Sequence, residues 1–207
     1  MFGRNAQQTE PELPRRRIER FLAAADKDLY FIPLTSQLNN SVRLVQSGPS
    51  AGLAPAQAIW EIKTRNGDHF VSATRSNHLN DERWVVMVEA RRFYAVWLAS
   101  RNQPTGMPND PPDYHDLPKM NAWNIQPSAW SHGMANPVPL AEIGNSFISS
   151  PHCHMGFTNG RNRLAWLIYH GAAAFPIEII QNQAPMEVFR MMGVNGFPPT
   201  TVDALTS

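Results

Sequence analysis

The chain has 207 residues, 43% of them hydrophobic, and a formal net charge of only +1. That length supports one sizeable domain, and the balanced charge excludes whole-molecule attraction to nucleic acid, so any DNA contact must come from a local patch. No apolar run approaches the roughly 20 residues of a membrane helix, the single Cys153 excludes an intramolecular disulfide framework, and the polar start shows no signal peptide, which together point to the cytoplasm.

Residues 1–14 read as a disordered arm, polar and without periodicity. Residues 15–25 read as a helix, because Ile18, Phe21, Leu22 and Ala25 fall on one face at helical spacing. Its leading Arg15, Arg16 and Arg17 stand at the positive end of the helix dipole, where acids are favoured. They suit a solvated arm or a phosphate contact.

Strand signals dominate from Leu29 to Ser100. Residues 29–34 and 41–45 are short candidates. Residues 58–64 and 69–73 flank an Asn66-Gly67 turn and predict a hairpin. Residues 83–89 read as a largely buried strand, and residues 91–100 as either a strand or a short helix. Glu61 and Glu89, each inside an apolar strand, need a partner or exposure.

Residues 102–136 are rich in Pro, Asn and Asp, too long for a routine connection. Trp123, Ile125 and Trp130 predict a segment that wraps the domain rather than a mobile linker. Within it Asp110, Asp113, His115 and Asp116 are a candidate hard-cation site, against the plainer reading of a solvated acidic loop. Residues 137–143 predict an extended piece turning into a helix. In residues 151–154 neighbouring side chains of an extended strand point to opposite faces, so only His152 and His154 could share a metal, and two ligands do not make a zinc site.

Residues 155–180 carry the strongest pattern: a strand, a tight polar turn, a helix ending at Gly171 and a second strand over 174–180. The turn packs Asn159, Gly160, Arg161, Asn162 and Arg163 against a helix N-terminus, where backbone N–H groups and the dipole favour an anion. Two arginines beside that end suit phosphate. Glu178 in the following strand and Glu142 before the motif are the carboxylates that could serve the same cleft, or else plain solvent-facing acids. Residues 185–192 predict a final helix with Pro185 in its first turn. Trp123, Trp130 and Trp166 could stack on bases, though core burial is the default for tryptophan.

The order Val-Pro-Leu-Ala-Glu-Ile, then Gly-Phe-Thr-Asn-Gly-Arg-Asn-Arg-Leu-Ala, a helix, a Gly and Phe-Pro-Ile-Glu-Ile resembles the ParB/sulfiredoxin superfamily over residues 137–180. Within it the chain looks most like the plasmid fertility-inhibition factors. The resemblance implies a mixed α/β protein with a ParB/sulfiredoxin-like core over residues 137–207 and a β-rich elaboration over residues 15–101. It implies a nucleotide site at Thr158, Asn159, Gly160, Arg161, Asn162 and Arg163, with ATP as the expected cofactor, CTP as the alternative, and magnesium beside it. Arg161 and Arg163 become the phosphate clamp, with Glu178 or Glu142 supporting the metal or the attacking water. Asn162 stands where many relatives carry a histidine. Arg161 stands where sulfiredoxins carry their catalytic cysteine, so sulfinic acid reduction is not expected.

No downstream helix-turn-helix suggests a partition role. The resemblance further implies an ATPase and metal-dependent DNase that blocks type IV secretion transfer of a competing element. Its partner would be the transferred nucleoprotein or the coupling protein. A catalytically inactive binding module that occupies the coupling protein is the alternative, and a nucleotide-gated DNA-binding factor using Arg15, Arg16 and Arg17 is a third.

Overall fold

The hairpin that Asn66 and Gly67 predict is the seed of the first of two sheets. In the computed structural model, which describes residues 14–33, 41–48, 56–75, 82–101, 111–120, 126–144, 155–180 and 185–207, strands β2 (Gln57–Thr64) and β3 (Gly67–Thr74) pair in full antiparallel register, from Gln57 opposite Thr74 to Thr64 opposite Gly67. The reversal is made by Arg65 and Asn66, one residue earlier than the Asn-Gly pair suggests, because Gly67 already belongs to the strand. Strand β1 (Val42–Gln46) adds to one side, and the short β5 (Val138–Pro139) runs parallel to β3 on the other.

The second sheet has the order β7-β6-β8-β4-β9, formed by β4 (Arg83–Glu89), β6 (Ala141–Ile143), β7 (Phe157–Asn159), β8 (Ala174–Ile180) and β9 (Thr200–Thr201). Its centre is the long antiparallel pair β4–β8, in which Val86 faces Ile177 and Val88 faces Phe175. These four side chains are fully buried. Strand β4 belongs to the first half of the chain, so this sheet draws on both halves, while β5 carries the second half back into the first sheet. The architecture is a mixed α/β one, as the sequence implied.

Helix α1 (Pro14–Ala24) forms as predicted. Residues 29–33 do not form the expected strand: helix α2 (Asp26–Leu29) and a turn follow instead. The buried residues Ala25, Leu29 and Ile32 recur at helical spacing, which two-residue alternation had masked. The strand-or-helix segment is helix α3 (Ala90–Ala99), buried through Phe93, Tyr94, Ala95, Val96 and Trp97. Phe93 packs edge-on against Phe175 of β8 at 5.3 Å and against Phe157 of β7 at 6.2 Å.

Between the sheets in sequence, Tyr114–Lys119 and Trp130–Ala135 are 3-10 turns and α4 (Gln126–Ala129) a single helical turn. Tyr114, Leu117 and Trp130 from this stretch are buried in the core. Residues 138–143 stay extended rather than turning helical, because each end pairs with a different sheet. Helix α5 (Arg161–Tyr169), helix α6 (Pro185–Met192) and a short α7 (Val202–Thr206) complete the chain. No described helix is long and apolar enough to cross a membrane.

Candidate functional site

Strand β7 ends at Asn159 and helix α5 begins at Arg161, so a single residue makes the corner. That residue is Gly160, at φ 80° and ψ 8°, a left-handed conformation that side chains disfavour. A Cβ there would stand 2.6 Å from the Ala141 Cα and 2.7 Å from its Cβ. Glycine is required twice over, for the dihedral and for the close approach to β6. The Gly160 carbonyl accepts the first helical bonds, from the N–H groups of Arg163 at 3.0 Å and Leu164 at 3.2 Å.

The corner encloses a cavity of 300 Å³ lined by Asn159, Gly160, Arg161, Asn162 and Arg163. Thr158 and Asn159 are exposed, and both arginines are half-buried. Arg163 folds back over Gly160 and donates from its guanidinium to the Pro139 carbonyl. Burial lowers its pKa, yet an arginine begins so high that it remains a cation at neutral pH. The arrangement can therefore receive an anion at a helix N-terminus, with one guanidinium fixed by the neighbouring strand segment.

Glu142 lies opposite Asn159 of β7 on one side and opposite Glu178 of β8 on the other. Paired positions share a face of a sheet, so Asn159, Glu142 and Glu178 form one row. Glu178 is buried (6% exposed) and accepts from the Arg83 guanidinium at 2.6 Å. Burial raises its pKa, Arg83 opposes that shift, and the neighbouring Glu142 adds to it. Neither carboxylate lines the 300 Å³ cavity. Among the described residues no group of three or more His, Cys, Asp or Glu side chains could hold a metal ion.

The other sequence candidates have structural partners. Glu61 accepts from Arg43 at 3.1 Å, and Glu89 pairs with Arg92 at 3.0 Å. Asp113 is held by Arg101 and Asp116 by Lys119, while His115 packs on Phe31, so the loop acids do not converge on a cation. Asp110, Trp123, His152, Cys153 and His154 lie outside the described residues. Trp130 and Trp166 stack on each other at 5.3 Å inside the core, which removes them as base-stacking platforms. Arg17 is buried with its guanidinium over the Phe21 ring, so it does not extend an exposed basic face.

A larger cavity, of 930 Å³, lies at the opposite end of α5. Its wall combines Asp26, Lys27, Tyr30 and Phe31 with Lys63 and Arg65 of the hairpin, Arg91 of α3, and Gly171. Nothing contiguous in the sequence announces it, because its residues come from four separate stretches. The weak trace was the run of cations and aromatics split between the α2 region and the hairpin tip.

A family model described as plasmid fertility inhibition factor matches residues 85–193, from β4 to the residue after α6. The chain is 28% identical over 124 residues to Protein osa of Shigella flexneri, a match covering 58% of this chain and 61% of that protein's length. It also resembles the crystal structure of the oncogenic suppression activity protein, a plasmid fertility inhibition factor solved as a gold(I) cyanide derivative. There the TM-score is 0.65 at 25% identity, covering 93% of this chain and 94% of the other.

Proposed function

The chain belongs to the plasmid fertility inhibition factor family, and we propose that it blocks conjugative transfer of a competing DNA element through a type IV secretion apparatus. In this reading the turn is ParB/sulfiredoxin-like and binds ATP through its phosphates, and the protein hydrolyses phosphate bonds in the nucleotide and in the transferred DNA. The observation that carries it is the corner at Gly160: a left-handed glycine, a helix N-terminus and two arginines around one 300 Å³ cavity.

Phosphoryl transfer is chiefly positioning and charge neutralisation. Arg161 is assigned to the transferring phosphate. Arg163, tied to the Pro139 carbonyl, is assigned to holding the phosphate chain in register. Glu142, next in the row from Asn159, is the carboxylate that would hold a magnesium ion, which would supply further charge neutralisation. Glu178 stands beside Glu142 in the row and is engaged by Arg83. Phosphate release from ATP and nicking of plasmid DNA, each measured with magnesium, test the assignment. Arg161→Ala should lower both by about 100-fold, the usual effect of removing one preorganised donor. Full activity in purified Arg161→Ala and Arg163→Ala would remove the site.

A second reading has its own support. Glu178 is ion-paired and no carboxylate lines the cavity, which favours a binding module that occupies the coupling protein or the transferred nucleoprotein without hydrolysis. Such a protein would release no phosphate and nick no DNA, yet would co-purify with its target.

A further inference from the structure

The 930 Å³ cleft at the C-terminal end of α5 gathers four cations, Lys27, Lys63, Arg65 and Arg91, against one lining carboxylate, Asp26. In a chain of net charge +1 this is a local concentration of positive charge. Asp28 accepts from the Tyr114 backbone N–H at 2.9 Å, and Glu61 is hydrogen-bonded by Arg43, with Lys63 a weaker electrostatic neighbour. Asp68 stands across the hairpin from Lys63 without an ion pair between them.

The cations differ in their duties. Arg65 is anchored by a neutral group: its guanidinium donates to the Phe31 carbonyl at 2.6 Å. Its backbone N–H caps the His170 carbonyl at 2.8 Å, at the negative end of α5. We count its charge against that dipole. Lys27, Lys63 and Arg91 form no ion pair with a described residue. Arg91 sits in the first turn of α3, at the positive end of a helix dipole, where a cation costs stability. An anion bound there would relieve both like charges. At the lip stands Tyr30, 82% exposed, its ring edge-on to Phe31 at 5.3 Å. A large aromatic left in solvent beside a cationic cleft is the pairing that single-stranded nucleic acid uses: cations along the backbone and a ring for a base to stack on.

We infer that this cleft binds single-stranded DNA, with Lys27, Lys63 and Arg91 on the phosphodiester backbone and Tyr30 stacked on a base. It deepens the proposed function by naming where the DNA lies, and it rests on that reading only for its biological purpose. The nine residues of α5 separate the cleft from the 159–163 turn by about 14 Å, so the cleft anchors the strand and the turn acts on a phosphodiester farther along it.

The test is fluorescence anisotropy of the full chain with a labelled single-stranded oligonucleotide, across a range of salt concentrations. Binding to three or four phosphates should give a log–log salt slope of about −2 to −3. Lys27→Glu, Lys63→Glu and Arg91→Glu combined, with the fold checked by circular dichroism, should weaken binding by at least about 10-fold and flatten the slope. Tyr30→Ala should weaken it by about 5-fold or more with the slope unchanged. Arg75→Ala, which removes an exposed cation paired with Asp203 outside the cleft lining, should leave oligonucleotide binding intact. A wild-type protein that binds the oligonucleotide but not ATP would remove the nucleotide reading and leave the cleft standing. Charge reversal that leaves affinity and slope unaltered overturns the cleft assignment, as does equal competition by polyglutamate, which marks a general acidic-protein surface.

Discussion

The two ends of helix α5 make the same demand on glycine and are built in opposite ways. At the N-terminal end five consecutive residues, 159–163, line their own cavity, and the strand segment at 139–141 serves only to brace them. At the C-terminal end Gly171 closes the helix at φ 83°, with the Ala172 N–H reaching the Leu167 carbonyl at 2.9 Å and the Gly171 N–H reaching that of Ile168 at 3.1 Å, the paired bonds of a Schellman motif. There the cavity wall is imported from α2, the hairpin and α3. A local site can be read from a motif. An assembled site exists only after the tertiary fold has brought its parts together.

Substitutions along α5 separate the two ends. Trp166, midway along the helix, stacks on His170 at 4.0 Å and Trp130 at 5.3 Å and meets His69 edge-on at 4.8 Å. Trp166→Ala should cost about 3–5 kcal/mol in urea denaturation and weaken both sites together. Gly160→Ala adds a left-handed alanine whose Cβ meets backbone at 2.6 Å, and should cost about 2–4 kcal/mol. It should abolish nucleotide binding and spare the oligonucleotide. Gly171→Ala imposes the same dihedral penalty, but its Cβ meets the Arg65 side chain at 2.9 Å, which can move. The expected cost is about 1–2 kcal/mol, with oligonucleotide binding weakened and ATP binding kept. If both glycine variants lose both ligands, the ends are not independent.

The smallest effect is a pH dependence. Burial raises the pKa of Glu178, and likewise of Glu89, above the ordinary carboxylate value. Between the unfolded value and the raised folded one, the native state holds more protons than the unfolded chain, so stability falls as pH rises through that interval. Glu61, lowered by its hydrogen bond to Arg43, has the opposite sign, losing its contribution as pH falls through its folded pKa. Urea midpoints measured on both sides of the carboxylate range should show Glu178→Gln flattening the first trend. An unchanged profile would mean that Arg83 cancels the effect of burial.

What the sequence disclosed follows the same division. The hairpin, β4, α5, β8 and α6 each carry their signal within one continuous stretch, and the polar turn with its two arginines is contiguous. Residues 29–33 misled because Tyr30, Phe31 and Ile32 are β-formers by type, whereas burial falls on Ala25, Leu29 and Ile32. Glu142 was expected on a helical piece, but pairing with β7 and β8 holds it extended. Pairing of β4 with β8 is long-range, as is the ion pair of Arg83 with Glu178, 95 residues apart, and neither leaves a local trace.

Residues 138–143 are six consecutive positions shared between two sheets: Val138 pairs with Val71, the Leu140 N–H reaches the Ser72 carbonyl at 2.9 Å, and Ala141 pairs with Ile177. Arg163 fastens to this same strip at Pro139. The strip works as a splice, so neither sheet can open by itself without loosening the arginine that serves the turn. Amide exchange should report this directly. A ligand held at residues 159–163 should slow exchange at Ser72 and Val71, on a strand that never touches it, as well as in β6.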